Sequence, residues 1–185
     1  MEDHAFVVKH EDFPPSAWVR RYAALLPAGG AVLDLACGAG RHARFLAGLG
    51  HAVEAVDRDA AALAGLAGLA GITARQADLE NDPWPYADRR FAGIVVCNYL
   101  HRPLFPHLAA ALAEGGVLIY ETFMLGNERF GRPSNPDFLL RPDELLAAFG
   151  GALRTVAFEQ GEVTQPKPAL MQRLCAVRGL CARLP

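Results

Sequence analysis

The stretch VLDLACGAGRHARFLAGLGHAVEAVDRD, residues 32–59, constrains the fold more than any other part of the chain. An apolar run ends in Asp34, and a turn of small residues follows. A helical stretch begins at Arg41, and a second apolar run ends in Asp57. Short runs rich in Val and Leu, bounded by turn residues, read as buried strands. The turn Ala36-Cys37-Gly38-Ala39-Gly40 is small enough to bend sharply and to bring backbone N–H groups against a ligand at the next helix start. The unit is strand, loop, helix, strand, the grammar of nucleotide-binding α/β folds. A tight turn with no ligand satisfies Gly-x-Gly equally well, so the weight falls on the acids around it.

The same alternation runs on. Ser16 can cap a helix over 17–26, ended by Pro27 and Gly29-Gly30. Strands are expected over 31–35, 52–56, 72–77, 91–97 and 117–123. Helices are expected over 41–49, 60–69, 104–112 and 141–149, the third of these only approximately. Gly65 and Gly68 weaken the second of them. Residues 78–90, DLENDPWPYADRR, and 126–137 read as loops, and 152–160 with 170–178 as a closing hairpin. Strands joined by helical crossovers imply a parallel sheet with helices on both faces, and the hairpin adds one antiparallel strand. The expected fold is α/β: a doubly wound, seven-stranded, mostly parallel sheet with a C-terminal antiparallel hairpin.

With 185 residues, 52% of them apolar, the chain suits one domain with a single core. Within it we expect an N-terminal helical cover over 1–28, a ligand-binding half over 30–123, and a loop, helix and hairpin over 124–185. The net charge is −2 and like charges do not cluster, so no general attraction to nucleic acid or to an anionic membrane is built in. The opening MEDHAFVVKHEDFPPS has no basic segment leading into an apolar one, and no apolar run reaches the roughly 18 residues that span a bilayer. A cytoplasmic protein is expected. Cys37, Cys97, Cys175 and Cys181 form no Cys-x-x-Cys pair, so reduced thiols are expected and a metal site is not.

Asp34 separates two ligand classes. A dinucleotide would bring its pyrophosphate close to this acid, and the two would repel. A ligand with a sulfonium and an ammonium group, and no phosphate, would be favoured there. Three spaced motifs then agree: V-L-D-L-A-C-G-A-G-R, A-V-D after the second strand and A-D-L-E after the third. Over about residues 30–123 the chain resembles the class I S-adenosylmethionine-dependent methyltransferases, in particular the small bacterial enzymes of tellurite-resistance type. Ala36 departs from the first glycine that many members carry.

The resemblance implies S-adenosylmethionine as cofactor and S-adenosylhomocysteine as product. It implies that Asp34, Ala36, Gly38 and Gly40 lie under the methionine part, with Arg41 either near its carboxylate or paired with Asp34. Asp57, with Arg58 beside it, would meet the ribose hydroxyls. Asp78 and the Leu79 N–H would meet adenine, and Cys97 and Asn98 would lie beside the sulfonium. Asp57 has an alternative as a helix cap, for which Asp59 is better placed, and Asp78 has one as a turn acid. Arg20, Arg21 and Trp18 on the first helix are candidates to cover the cofactor.

The acceptor side should be built from the ends of the fourth and fifth strands. Tyr99, His101 and Glu121 are the candidate catalytic residues, with Arg102, Tyr120 and Phe123 nearby. Asn98-Tyr99-Leu100-His101 lacks the Asn/Asp-Pro-Pro-Tyr/Phe pattern of enzymes that methylate exocyclic amines of bases or glutamine amides. A small-molecule acceptor is expected, with RNA or protein as the alternative and a non-catalytic nucleotide-binding domain behind them. Arg129 and Arg132 beside Phe130 suggest an anionic acceptor, and the loop that carries them suggests a lid.

Overall fold

The computed structural model describes residues 14–179; the first thirteen residues and Cys181 lie outside them. Seven strands form one sheet in the order β3-β2-β1-β4-β5-β7-β6. They are β1 (Ala31–Leu35), β2 (Ala52–Asp57), β3 (Ile72–Gln76), β4 (Phe91–Cys97), β5 (Leu112–Phe123), β6 (Arg154–Val163) and β7 (Ala169–Val177). β1 to β5 pair in parallel, and β7 is inserted antiparallel between β5 and β6. This is the doubly wound, mostly parallel sheet with a terminal hairpin that the sequence predicts.

The helices are α1 (Ala17–Tyr22), α2 (Arg41–Gly48), α3 (Ala60–Ala64), α4 (Phe105–Ala111) and α5 (Glu144–Phe149). Period-two alternation sorts the side chains of β5 between two layers. Val117 and Ile119 join a cluster with Trp18 and Val19 of α1 and Leu46 of α2. Leu118 and Tyr120 join another with Phe105 and Leu108 of α4 and Phe149 of α5. Helices thus cover both faces, which is why β1 and β4 are apolar along nearly their whole length.

Several boundaries differ from expectation for local reasons. α1 tightens into a 3-10 turn at Ala23–Leu25 ahead of Pro27. α3 stops at Ala64 because Gly65 follows and Gly68 turns left-handed at φ 76°. As expected, no helix joins β3 to β4, and residues 77–90 cross over as a loop. β5 begins five residues early, because the Glu114-Gly115-Gly116 turn is absorbed as a register shift opposite Phe91 and Gly93. The 126–137 loop contains two short 3-10 turns, Asn127–Phe130 and Pro136–Phe138.

That loop is fastened rather than free. Asn127 is buried, accepts from the Leu170 N–H at 3.0 Å and donates to the Pro133 carbonyl at 3.1 Å. Arg102 grips Glu144 through two nitrogens, at 2.6 and 3.0 Å, and donates to the carbonyls of Asp137 and Leu139. Among the described residues no helix is long and apolar enough to cross a membrane.

Candidate active site

The strand order reverses direction between β1 and β4, and open α/β sheets hold ligands at that point, outside the carboxyl ends of the strands. Of the clefts that open there, three hold most of the candidate residues, and Asn98 lines each of them. The first, about 350 Å³, lies among Asp34, Gly38, Arg41 and Cys97. The second, about 260 Å³, lies among Ala36, Asp57, Arg58, Asp78, Leu79 and Tyr99. The third, about 280 Å³, lies between α1, the end of β5 and the β6–β7 turn. Volumes of this order suit small ligands.

Backbone conformation is unusual at this edge. Ala36 and Asn98, neither of them glycine, sit in the left-handed region at φ 52° and 57°. Such residues concentrate where a chain is forced close to a ligand. Gly40 has φ 77°, and a Cβ built there would lie 2.5 Å from the buried Leu66 side chain. Gly40→Ala combines a strained backbone with overpacking, so it should destabilise by about 2–4 kcal/mol in chemical denaturation. A loss under about 0.5 kcal/mol would show that Leu66 yields freely.

Asp34 is the most unusual group in the first cleft. It is 1% exposed, and its Oδ2 is buried with no hydrogen-bond partner. Burial pushes its carboxyl up to about 7, against the opposing pull of the Ala43 N–H and the Arg41 charge. A buried acid left without a partner fits a site made for a cationic group. Beside it, burial holds the Cys97 thiol well above its ordinary value, with Glu121 adding to the shift, so Cys97 stays protonated.

Asp57 is prearranged. Its Oδ2 accepts from the Gly38 N–H at 2.8 Å, and its Oδ1 from the Asp59 N–H at 2.9 Å. Asp59, not Asp57, caps α3, through the N–H groups of Ala61 and Ala62. Asp57 is therefore not used as a helix cap. Asp78 does act as a turn acid, accepting from the N–H groups of Glu80 and Asn81 and from the Asn81 side chain. Those bonds hold its carboxyl below the usual range. It still lines the second cleft, and Leu79 follows it with a buried side chain.

The acceptor-side candidates separate. Glu121 lines the third cleft and is 5% exposed. Arg173 Nε lies 3.1 Å from Glu121 Oε2, an ion pair by distance, yet the N–H does not aim at the oxygen and neither atom has an aligned partner. Tyr99 lies on the second cleft instead, its hydroxyl raised by burial and by Glu80 and therefore protonated. His101 precedes the 3-10 turn Arg102–Leu104 and lines none of the three clefts. Arg102 is committed to Glu144, and Arg129 to Glu162 at 2.8 Å and to the Phe130 ring. Arg132 is exposed and lines none of the three clefts either.

Sequence reasoning did not single out Arg173 or Lys167 for this site. A charge at an inward phase of the apolar strand ALMQRLCAV was the available signal for Arg173. Of the first-helix candidates, Arg20 lines the third cleft, Trp18 is buried with its indole N–H donating to the Leu174 carbonyl at 3.3 Å and lines none of the three clefts, and Arg21 pairs with Glu159 at 3.3 Å; Ser16 caps α1. The Ser16 N–H donates at 3.2 Å to Nε2 of His42, which burial holds neutral by lowering it to about 3. The residue after Arg41 in the glycine-rich motif therefore ties down the N-terminal cover.

Residues 32–116 match the family model described as a methyltransferase domain. The fold of the chain is shared by solved structures, among them these three. TehB from Haemophilus influenzae is 19% identical with a TM-score of 0.69, the match covering 85% of this chain and 60% of that one. The glycopeptide N-methyltransferase MtfA, solved with S-adenosyl-L-homocysteine, is 20% identical with a TM-score of 0.64, covering 91% of each chain. A SAM-dependent methyltransferase from Methanosarcina mazei is 15% identical with a TM-score of 0.69, covering 91% of this chain and all of that one. A comparison with curated proteins gives no match. The matched segment begins at Val32, at the start of the motif that carries Asp34, and contains the residues that line the first two clefts.

Proposed function

We propose that the protein transfers a methyl group from S-adenosylmethionine to a small-molecule acceptor. The observation that carries this reading is the buried, unpartnered Asp34 Oδ2 in a cleft that adjoins the Asp57 cleft. The two clefts share Ala36 and Asn98, so one elongated ligand with a cationic end and a ribose fits both. When bound, the cofactor supplies an electrophilic methyl group.

This chain's residues do the rest. Asp34 attracts the ammonium, and the Gly38 and Gly40 turn lets the backbone approach the methionine part. Arg41 meets the carboxylate. Asp57, its carboxylate aimed by Gly38 and Asp59 and flanked by Arg58, receives the ribose hydroxyls. Asp78 and the Leu79 N–H border adenine, with Tyr99 beside them. Cys97 and Asn98 face the junction with the third cleft, where Glu121 takes the proton that a nucleophile releases. α1 and the His42–Ser16 bond keep water from that junction. In this division residues 1–28 are the cover, 30–123 hold the cofactor and 124–185 shape the acceptor side. Cys37, Cys97 and Cys175 are unpaired, which suits a reducing cytoplasm.

Calorimetric titration with S-adenosylhomocysteine and with NADH tests the reading. S-adenosylhomocysteine should bind and NADH should not; the reverse result sinks the proposal. Asp57→Ala should weaken S-adenosylhomocysteine by about 1–3 kcal/mol, or about 5- to 150-fold, through lost charge-assisted bonds. Unchanged affinity would remove the ribose from Asp57.

A further inference from the structure

The third cleft has a charge pattern that the methyl-transfer reading does not require. Four cations converge on it from four segments: Arg20 of α1, Arg41 of α2, Lys167 of the β6–β7 turn and Arg173 of β7. One carboxylate, Glu121, opposes them. The chain as a whole carries −2 and contains only two lysines, so this local excess of positive charge is set apart from the rest of the sequence.

The charges are also sorted by depth. Glu121 and the Arg173 side chain lie at the floor, 5% and 19% exposed, and are paired across adjacent strands by register. Arg20 and Lys167 lie at the mouth and are exposed. Among the described residues no carboxylate comes within 4 Å of Arg20, Arg41 or Lys167. Arg41 also lines the first cleft, where the cofactor carboxylate would take it. The two cations at the mouth are then left over. Between mouth and floor the wall is apolar, formed by Phe123, Val163 and Met171.

We propose, resting on the methyl-transfer reading above, that the acceptor is an organic anion. Its carboxylate or phosphate is held by Arg20 and Lys167, its apolar body lies on Phe123 and Met171, and its nucleophilic atom reaches Glu121. A cleft that concentrates positive charge beside apolar walls attracts such a molecule and repels a cationic one. A bare inorganic ion would leave the apolar wall unused, and the about 280 Å³ of space has room for an organic body.

The test uses benzoate, phenyl phosphate and neutral benzamide, each titrated by calorimetry into the free protein and into protein saturated with S-adenosylhomocysteine. At least one anion should bind at least tenfold more tightly than benzamide, and the better of the two tells carboxylate from phosphate. In the double variant R20Q/K167Q that preference should fall below threefold, with the melting temperature unchanged. Equal binding of benzamide, failure of both anions, or a preference that survives in the double variant would overturn the proposal. If S-adenosylhomocysteine fails to bind, the cofactor reading falls by itself, while the titrations of the free protein still decide whether the cleft selects anions.

Discussion

Asp34→Asn should give a protein that is more stable above pH 7 and that has lost most of its affinity for S-adenosylhomocysteine. Burial raises the Asp34 carboxyl from its ordinary 3.8 to about 7 in the fold. The folded state therefore holds the proton more tightly than the unfolded chain does. That contribution to stability is fully present below pH 3.8, shrinks above it, and is gone once the pH passes about 7. At higher pH the fold carries an ionised, unpartnered acid at a cost of up to about 4 kcal/mol. Asn has no charge to bury, so the variant should gain on the wild type steadily from about pH 4 and level off near pH 7. His42 shifts the other way, its lowered value removing stability as the pH falls below 6.5, but it is common to both proteins and cancels in the difference. Binding should show the complement. A ligand ammonium prefers the ionised carboxylate, so wild-type affinity should fall by up to tenfold per pH unit below about 7, while that of Asp34→Asn stays low and flat. Denaturation at acid and alkaline pH, with calorimetry under the same conditions, measures both. A wild-type affinity that is level between about pH 5.5 and 8 would place the ammonium elsewhere.

Gln172→Leu should cost about 2–5 kcal/mol while leaving S-adenosylhomocysteine affinity within about twofold. Gln172 is fully buried. Its Oε1 accepts from the Leu145 N–H at 2.7 Å, and its Nε2 donates to the Arg141 carbonyl and to Gln160 Oε1. Gln160 in turn exchanges two bonds with Asp143. One amide thus joins the start of α5 to β6 and β7. Leucine fills the space but leaves the buried Leu145 N–H and the part-buried Arg141 carbonyl unpaired, each costing about 1–3 kcal/mol. None of these groups lines either of the first two clefts, which is why binding should persist. A loss under about 0.5 kcal/mol would mean that water replaces the amide.

The sheet was legible because its signal is local. Apolar runs ending in Asp34 and Asp57, separated by a small-residue turn, leave few other folds open. The cofactor candidates lie at or just after the ends of β1 to β4, so reading those strands also pointed to the residues that line the first two clefts. The acceptor side was not legible in this way. Arg102 and Arg129 looked available in the sequence because their partners, Glu144 and Glu162, stand 42 and 33 positions away. Arg173 looked like one charge in a strand until the antiparallel insertion of β7 set it opposite Glu121. His101 follows β4 closely in sequence, but the turn into Arg102–Leu104 leaves it off all three clefts. Tertiary partners of high sequence separation, rather than residue type, decided which charges were free.

The insertion of β7 beside β5 has a consequence for how the site comes into being. The first two clefts need only residues up to Tyr99, contributed by strands that are near neighbours in the chain. The third needs Glu121 to meet Arg173, and until β7 docks Glu121 faces an apolar layer as an uncompensated charge. Closing that long-range pair comes at a higher entropic cost than the local pairings before it. The cleft proposed to take the acceptor is thus the last part of the site to be assembled, and the part most exposed to any change in the C-terminal hairpin.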